Sequence, residues 1–202
     1  MMSDPVIFDG HNDVLLHIAD PEKQRDFFVK NEEGHLDLPR AREGNLGGGF
    51  FAVWIPPTDA QRQATKAWRE KNPKAAPPLA EAVPTDYALT HAMTLSGTLL
   101  YLEKQSEGEF RIVRDVETLS QCLADGTFAA IWHMEGAEAI DKDLHALDVF
   151  YQAGLRSLGL VWSRPNIFAE GVPFKFDTSP DTGPGLTDAG KNLVKACNRL
   201  GI

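Results

Sequence analysis

The chain has 202 residues, of which 43% are hydrophobic and 24% are charged, and its formal net charge is −9. This composition is ordinary for a globular protein that is long enough to bury a core. An acidic surface repels phosphate backbones, so we expect no nucleic-acid partner, whereas divalent cations suit such a surface.

The sequence shows no sign of secretion or of membrane insertion. It opens on Met-Met-Ser-Asp-Pro, without the basic and long apolar segments of a signal peptide, and its apolar runs are too short to cross a membrane. Cys122 and Cys197 lie far apart in helix-like contexts, which fits two half-buried thiols rather than a disulfide framework. We therefore expect a cytoplasmic protein without a membrane partner.

Four apolar runs predict strands, and the first of them is expected to be buried. They span residues 6–8, 50–55, 128–132 and 157–162. Pro56 and Pro57 end the second run, and Gly47-Gly48-Gly49 open it. Because these glycines precede the strand and no Gly-Lys-Ser/Thr is present, they do not indicate a phosphate loop.

Helices are predicted between and after the later strands. The first spans residues 84–104, and the second spans residues 144–153 and ends at Gly154. Thr187 can cap a last helix that ends at Gly201 and has an apolar face, formed by Leu193, Val194, Cys197 and Leu200.

Two segments are predicted as loops. Residues 58–82 are polar, alanine-rich and interrupted by prolines, which indicates an insertion loop, and residues 163–185 form a loop rich in glycine and proline.

Apolar strands that alternate with amphipathic helices indicate a parallel sheet with helices packed around it. A complete (β/α)8 TIM barrel takes about 250 residues, and four strand candidates make about half of one. We therefore predict one domain over residues 1–202, an α/β fold that is the first half of a TIM barrel with about four βα units. Ile202 stands where the next strand is expected to begin.

His11 and Asp13 follow the first apolar run. Residues two apart on a strand point to the same face, so a His-x-Asp pair at a strand's C-terminal end can bind one metal ion through a nitrogen and an oxygen. The alternative is that Asp13 caps a turn and His11 is a packed polar residue. His35 and Asp37 have the same spacing in a charged, polar run, and we interpret them as loop residues with His35 in solvent.

Glu135 follows the third apolar run and precedes Gly136. A carboxylate at a strand's C-terminal end can bridge two metal ions. The alternative is an acid at a helix N-terminus, since Glu138 and Asp141 lie close by. His133, two residues earlier, either shares the face of Glu135 or is buried with its ring nitrogens satisfied.

Trp162, Arg164 and Asn166 follow the fourth apolar run. They are candidates for substrate binding, because they combine an aromatic wall with a guanidinium that can grip a carboxylate. A packed loop is the alternative.

Taken together, these segments resemble the renal, or membrane, dipeptidase family, peptidase family M19, in its N-terminal part. The metal motif of its first strand is matched by Phe8-Asp9-Gly10-His11-Asn12-Asp13, and its bridging-glutamate segment by Met134-Glu135-Gly136-Ala137. Other blocks match in order, at residues 35–40, 47–56, 154–158 and 185–201.

The resemblance implies a TIM barrel of the metallo-dependent hydrolase type with two zinc ions, in which a hydroxide that bridges the metals attacks the peptide bond of a dipeptide. By resemblance, His11 and Asp13 bind the first zinc and Glu135 bridges both. The second zinc's two histidines and the acid/base aspartate are expected beyond Ile202, so we assign no catalytic residue within the chain. Trp162 stands where many members have a substrate-binding histidine.

The leading hypothesis is therefore a zinc-dependent dipeptidase, of which these 202 residues alone are a truncated and inactive piece. Two alternatives stay open, another metal-dependent, amidohydrolase-like barrel enzyme and a non-catalytic fragment. Such a fragment is expected to form a homo-oligomer, or to pair with a C-terminal half, through its unpaired sheet edges. The ligand types also suit manganese or cobalt.

Overall fold

The computed structural model describes residues 5–23, 25–173, 179, 181 and 183–202. Strands and helices alternate along the chain. The strands are β1 (Ile7–Asn12), β2 (Leu46–Trp54), β3 (Phe110–Ile112), β4 (Phe128–Glu135) and β5 (Leu155–Gly159). The helices are α1 (Val14–Ile18), α2 (Leu38–Glu43), α3 (Asp59–Lys71), α4 (Thr85–Gln105), α5 (Val116–Asp125), α6 (His145–Ala153) and α7 (Asp188–Leu200).

The strands form one sheet in the order β1-β2-β4-β3, and β5 also pairs with β4. The pairs β1–β2 and β3–β4 are parallel, which confirms the predicted parallel α/β fold. The sheet contains one strand more than the four apolar runs indicated. That strand, β3, has only three residues, and its sequence Phe-Arg-Ile is too short to stand out as an apolar run.

The chain forms two compact units. One consists of Met1–Trp54, Ala92–Met134 and Tyr151–Ser157. The other consists of Ile55–His91, Glu135–Phe150 and Leu158–Ile202. The assignment of all 202 residues to one domain stays a prediction. Among the described residues, no helix is long and apolar enough to cross a membrane.

The helices predicted after residue 83 are confirmed, as α4, α6 and α7. The Thr187 side chain caps α7 by accepting a hydrogen bond from the backbone N–H of Gly190, and Gly201 ends this helix in the left-handed conformation at φ 76°. Cys122 and Cys197 are free thiols on α5 and α7, in the helical contexts predicted, and they are buried rather than half-buried.

Three sequence-based expectations differ from the structure. The first strand is not buried, since Val6 and Ile7 are 50% and 54% exposed. The reason is that β1 stands at the end of the strand order among the described residues, next to β2. The strand predicted at residues 157–162 is β5, which begins and ends earlier, at Leu155 and Gly159. The segment 58–82 is not all loop, because α3 begins at a capping box formed by Thr58 and Gln61. Its status as an insertion stays a prediction, and the loop 163–185 lies partly outside the described residues.

The glycines before the second apolar run belong to β2 itself. A Cβ atom on Gly48 would collide with the carbonyl oxygen of Ala129 on β4, and one on Gly49 would lie 2.8 Å from the Cβ atom of Asp9 on β1. Real side chains do not tolerate such contacts, so only glycine allows β2 to lie this close to its neighbours.

A cluster of four phenylalanines forms part of the core of the first unit. Phe27, Phe51, Phe110 and Phe128 are at most 3% exposed. Phe27 meets the other three rings edge-on at centroid distances of 5.6 to 5.9 Å. Each such pair contributes about 0.5–1.5 kcal/mol beyond the burial of its area, so the cluster links β2, β3 and β4 to the loop before α2.

Asp37 is the N-cap of α2, where its carboxylate accepts a hydrogen bond from the backbone N–H of Arg40. The Arg40 side chain and the backbone N–H of Asn31 also donate to this buried carboxylate, at 2.7 and 3.0 Å. Burial alone raises the pKa of Asp37, but the hydrogen bonds from Arg40 and Asn31 outweigh it and lower the pKa to about 2. His35 is exposed, as expected.

We predict that Asp37→Ala lowers the free energy of unfolding by about 2 kcal/mol near neutral pH. Because the folded-state pKa is depressed from 3.8 to about 2, the stabilisation is complete above the unfolded value and is lost as the pH falls between these two values. Urea unfolding of both proteins, near pH 7 and near pH 2.5, measures this difference.

The exposed N-cap Asp115, which accepts a hydrogen bond from the backbone N–H of Thr118 at 2.7 Å, provides the matched control. At neutral pH, Asp115→Ala is expected to lower the free energy of unfolding by less than Asp37→Ala does. An equal cost of Asp37→Ala at both pH values would contradict the account of this carboxylate.

Candidate metal centre

His11 lies in β1 at an irregular point of its pairing with β2. Asp9 pairs with Gly49 and Asn12 pairs with Phe51, so β1 uses one residue more than β2 over this interval. A bulge of this kind redirects the side chains beside it. The prediction placed the histidine at the C-terminal end of a strand, and the structure places it in β1, one residue before the strand ends.

Asp9 and Asn12 hold this segment of backbone in place. The Asp9 carboxylate accepts hydrogen bonds from the backbone N–H of His11 at 3.2 Å and from the side chain of Asn12 at 3.1 Å. The Asn12 amide also donates to the carbonyl oxygen of Phe50 on β2, at 3.1 Å. The sequence predicted no role for Asp9 or Asn12, although both lie within the metal motif of residues 8–13.

Asp13 leaves the strand and occupies the N-cap position of α1, but its side chain makes no capping hydrogen bond. Its carboxylate oxygen Oδ1 instead lies 3.6 Å from Nε2 of His11, and the two side chains are 52% and 41% exposed. The pair therefore comes together through the bulge and the end of β1, and not through the alternation of a regular strand that the prediction assumed.

His133, on β4, packs beside His11. The two imidazole rings meet edge-on with centroids 5.6 Å apart, and His133 also meets the ring of Phe50 at 6.3 Å. Nδ1 of His133 is hydrogen-bonded to the hydroxyl of Ser157 on β5, at 2.8 Å. Burial lowers the pKa of His133, and the neighbouring His11 lowers it further, while Asp13 opposes the shift. The sequence left this residue between two interpretations, and the role of Ser157 had no sequence signal.

Glu135 is the last residue of β4 and is half-buried. The strand therefore extends three residues beyond the apolar run 128–132 and ends on this carboxylate. Gly136, which follows it, has φ 90°, a backbone conformation that glycine adopts without strain.

The three residues predicted to bind substrate lie after β5, and each of them contacts other groups of the protein. Arg164 is 1% exposed and donates to the carboxylate of Glu138 at 2.8 Å. Asn166 donates to the carbonyl oxygen of Leu160 and accepts from the backbone N–H of Phe168, at 2.9 and 2.8 Å. Trp162 is half-buried and has the guanidinium of Arg164 5.5 Å from its ring centroid. The contacts of Arg164 agree with the alternative of a packed loop, and substrate binding by these three residues stays a prediction.

A second group of metal-ligand side chains lies before and at the start of α6. Ligand atoms of Asp141, Asp143 and His145 lie within 4.8 Å of one another. The Asp141 carboxylate accepts hydrogen bonds from the backbone N–H groups of Asp143 and Ala146, so its position is explained by the turn that leads into the helix.

A parallel sheet with imidazole and carboxylate groups at the C-terminal ends of its strands is typical of metal-dependent α/β hydrolases. Comparison with known proteins identifies the family. The family model described as membrane dipeptidase, peptidase family M19, matches residues 1–202. The chain therefore belongs to the membrane dipeptidase family, a family of metallopeptidases whose solved members have TIM-barrel-type folds.

Solved structures and a curated relative agree with this assignment. The dipeptidase AC, a metallopeptidase of family M19, is 45% identical with a TM-score of 0.84, over 96% of this chain and 54% of that one. A metallopeptidase from Rhodobacter sphaeroides, liganded with a phosphinate mimic of the dipeptide L-Ala-D-Ala, is 46% identical with a TM-score of 0.86, over 96% and 56%. An uncharacterised protein from the PQQ-III 3′ region of Acinetobacter calcoaceticus is 36% identical over 95% of this chain and 59% of its own length. The chain thus spans little more than half the length of these relatives.

We predict that the His133 imidazole titrates below its ordinary pKa of 6.5, because it is half-buried and lies beside His11. Ring-proton chemical shifts of the metal-free protein, followed by NMR as the pH is lowered, measure this titration. The variant His133→Phe keeps an aromatic ring and identifies the signal by its loss. A midpoint at or above 6.5 would contradict the described surroundings of His133.

Proposed function

We propose that the chain carries the first part of a zinc-dependent dipeptidase site, in which His11 and Asp13 bind one zinc ion and Glu135 bridges two. The observation that carries the proposal is the pair at the end of β1, with Nε2 of His11 and Oδ1 of Asp13 3.6 Å apart. Two ligands about 2.0–2.2 Å from a tetrahedral zinc ion lie roughly 3.3–3.6 Å from each other. The pair therefore needs little movement to bind one ion.

Glu135 completes the set of ligands in this proposal. Each of His11, Asp13 and Glu135 offers an atom of a type that holds a metal ion. The support for including Glu135 comes from β4, because residues two apart on a strand share a face and His133 already packs against the ring of His11.

The donor set fits the ion that the family implies. One imidazole nitrogen and two carboxylates suit zinc, and they also suit manganese or cobalt, so the choice of zinc rests on the family. When bound, such ions act as Lewis acids and lower the pKa of water. The chain's own contribution is to hold the ligands, since Asp9 and Asn12 fix the backbone at His11.

A dipeptide is the substrate in this proposal. The support is that the Rhodobacter sphaeroides metallopeptidase, 46% identical over 96% of this chain, is liganded with a phosphinate mimic of L-Ala-D-Ala. Within the chain, Trp162 is the strongest of the three sequence candidates for a pocket wall, because the amide of Asn166 is hydrogen-bonded to Leu160 and the guanidinium of Arg164 is hydrogen-bonded to Glu138.

Metal binding tests the proposal directly. We expect the purified chain to bind zinc, as measured by calorimetric titration, and His11→Ala and Glu135→Gln each to weaken the affinity at least about tenfold. His35→Ala is the matched control, since His35 has the same spacing to an aspartate but is exposed in a loop, and its affinity is expected to be that of the parent. Equal losses in all three variants, or no zinc binding by the parent, would contradict the proposal.

We further propose that a protein of these 202 residues alone has no dipeptidase turnover and associates with itself. The support is that, by resemblance to the family, the second zinc's histidines and the acid/base aspartate are expected beyond Ile202, and that Ile7 on β1, at the end of the strand order, is 54% exposed. Zinc-loaded protein is assayed on a panel of dipeptides and examined by analytical ultracentrifugation. Zinc-dependent hydrolysis, or a monodisperse monomer, would contradict the corresponding half of this prediction.

A further inference from the structure

Arg164 and Glu138 form an ion pair that is almost completely removed from solvent. They are 1% and 4% exposed, and Nε of Arg164 donates to Oε1 of Glu138 at 2.8 Å. A second guanidinium nitrogen, Nη2, donates to the carbonyl oxygen of Ile55 at 2.6 Å. Arg164, in the loop after β5, thus contacts Ile55, which directly follows β2, and Glu138, which lies in the segment after β4.

The segment that follows β4 is the turn after Glu135, and it is held from two directions. Its backbone N–H groups at Gly136 and Ala137 donate to the carbonyl oxygens of Gly159 and Leu160, at 3.1 and 3.3 Å. On the other side, the Glu138 carboxylate lies directly against Gly136, where a Cβ atom would collide with its Oε2. The carboxylate that Arg164 holds therefore packs on the residue adjacent to Glu135.

We propose that Arg164 is a positioning residue for the metal centre. Through Glu138 it fixes the turn that begins at Gly136, and thereby it fixes the direction in which the Glu135 carboxylate leaves the end of β4. This inference rests on the proposed function for the role of Glu135, but the contacts on which it is built do not. This positioning role differs from the substrate binding that the sequence indicated for Arg164.

The energetics of buried ion pairs favour this role over simple stabilisation. Desolvation of two charges offsets most of their attraction, so apolar residues of similar volume are often at least as stabilising in the same place. What such residues lack is the directed hydrogen bonds to Glu138 and Ile55. An arginine donates through several nitrogens of one rigid plane, whereas a lysine has a single charged nitrogen.

The test separates positioning from stability by comparing Arg164→Lys with the double variant Glu138→Met/Arg164→Met. Each is measured for melting temperature, zinc affinity, the visible spectrum of its cobalt(II) form and amide hydrogen exchange at Gly136 and Ala137. We expect the double variant to melt near the parent, since no unpaired charge is left buried. Its zinc affinity is nevertheless expected to fall at least about tenfold, with a changed cobalt spectrum and faster exchange at both amides. Arg164→Lys is expected to change zinc affinity, the cobalt spectrum and amide exchange in the same directions, but by smaller amounts.

Removal of an exposed ion pair in the same unit provides the control. Asp188→Asn breaks the contact between Asp188 and Lys191, whose side chains are 95% and 61% exposed, and it is expected to change none of the four readouts. Parental zinc affinity, cobalt spectrum and amide exchange in Arg164→Lys would overturn the proposal, even if the double variant does not fold. If the parent itself binds no metal, the proposed function fails, and amide exchange alone decides whether Arg164 holds the turn.

Discussion

The close approach of β2 to its two neighbours is the constraint on which the candidate site depends. Gly48 lies against the backbone of Ala129 on β4, and Gly49 lies against Asp9 on β1, with no room for a side chain at either position. Each neighbour ends in residues with metal-binding chemistry, since β1 carries His11 and β4 ends on Glu135. A short run of glycines before an apolar segment therefore sets the spacing of the strands that carry the site.

The residues around the candidate ligands support them in different ways. On β1, Asp9 and Asn12 anchor the bulge in which His11 lies. On β4, His133 packs against the His11 ring and is itself held by Ser157. Such outer partners orient ligands and restrict their motion, which is why their loss weakens metal binding although they do not touch the metal.

Sequence reasoning predicted the elements whose signals are local. Thr187 and Gly201, the residues at its two ends, predict helix α7, and an apolar run predicts β4. Other features depend on contacts between segments far apart in sequence, and these have no local signal. The bulge at His11 arises from pairing with β2, and the burial of Arg164 arises from Glu138, 26 residues earlier in the chain. The resemblance to family M19 supplied the candidate ligands, and their metal-binding roles stay predictions. The bulge that positions His11 could not be predicted from the sequence and is seen only in the structure.

The proposed function requires His11, Asp13 and Glu135 to bind metal together. Crystals of the protein grown with zinc, with diffraction data collected on both sides of the zinc absorption edge, show whether they do. We expect an anomalous peak within about 2.0–2.2 Å of the His11 imidazole and of the Asp13 and Glu135 carboxylates. A fully loaded crystal whose zinc lies elsewhere, for example at Asp141, Asp143 and His145, with no peak at these three residues, would contradict it.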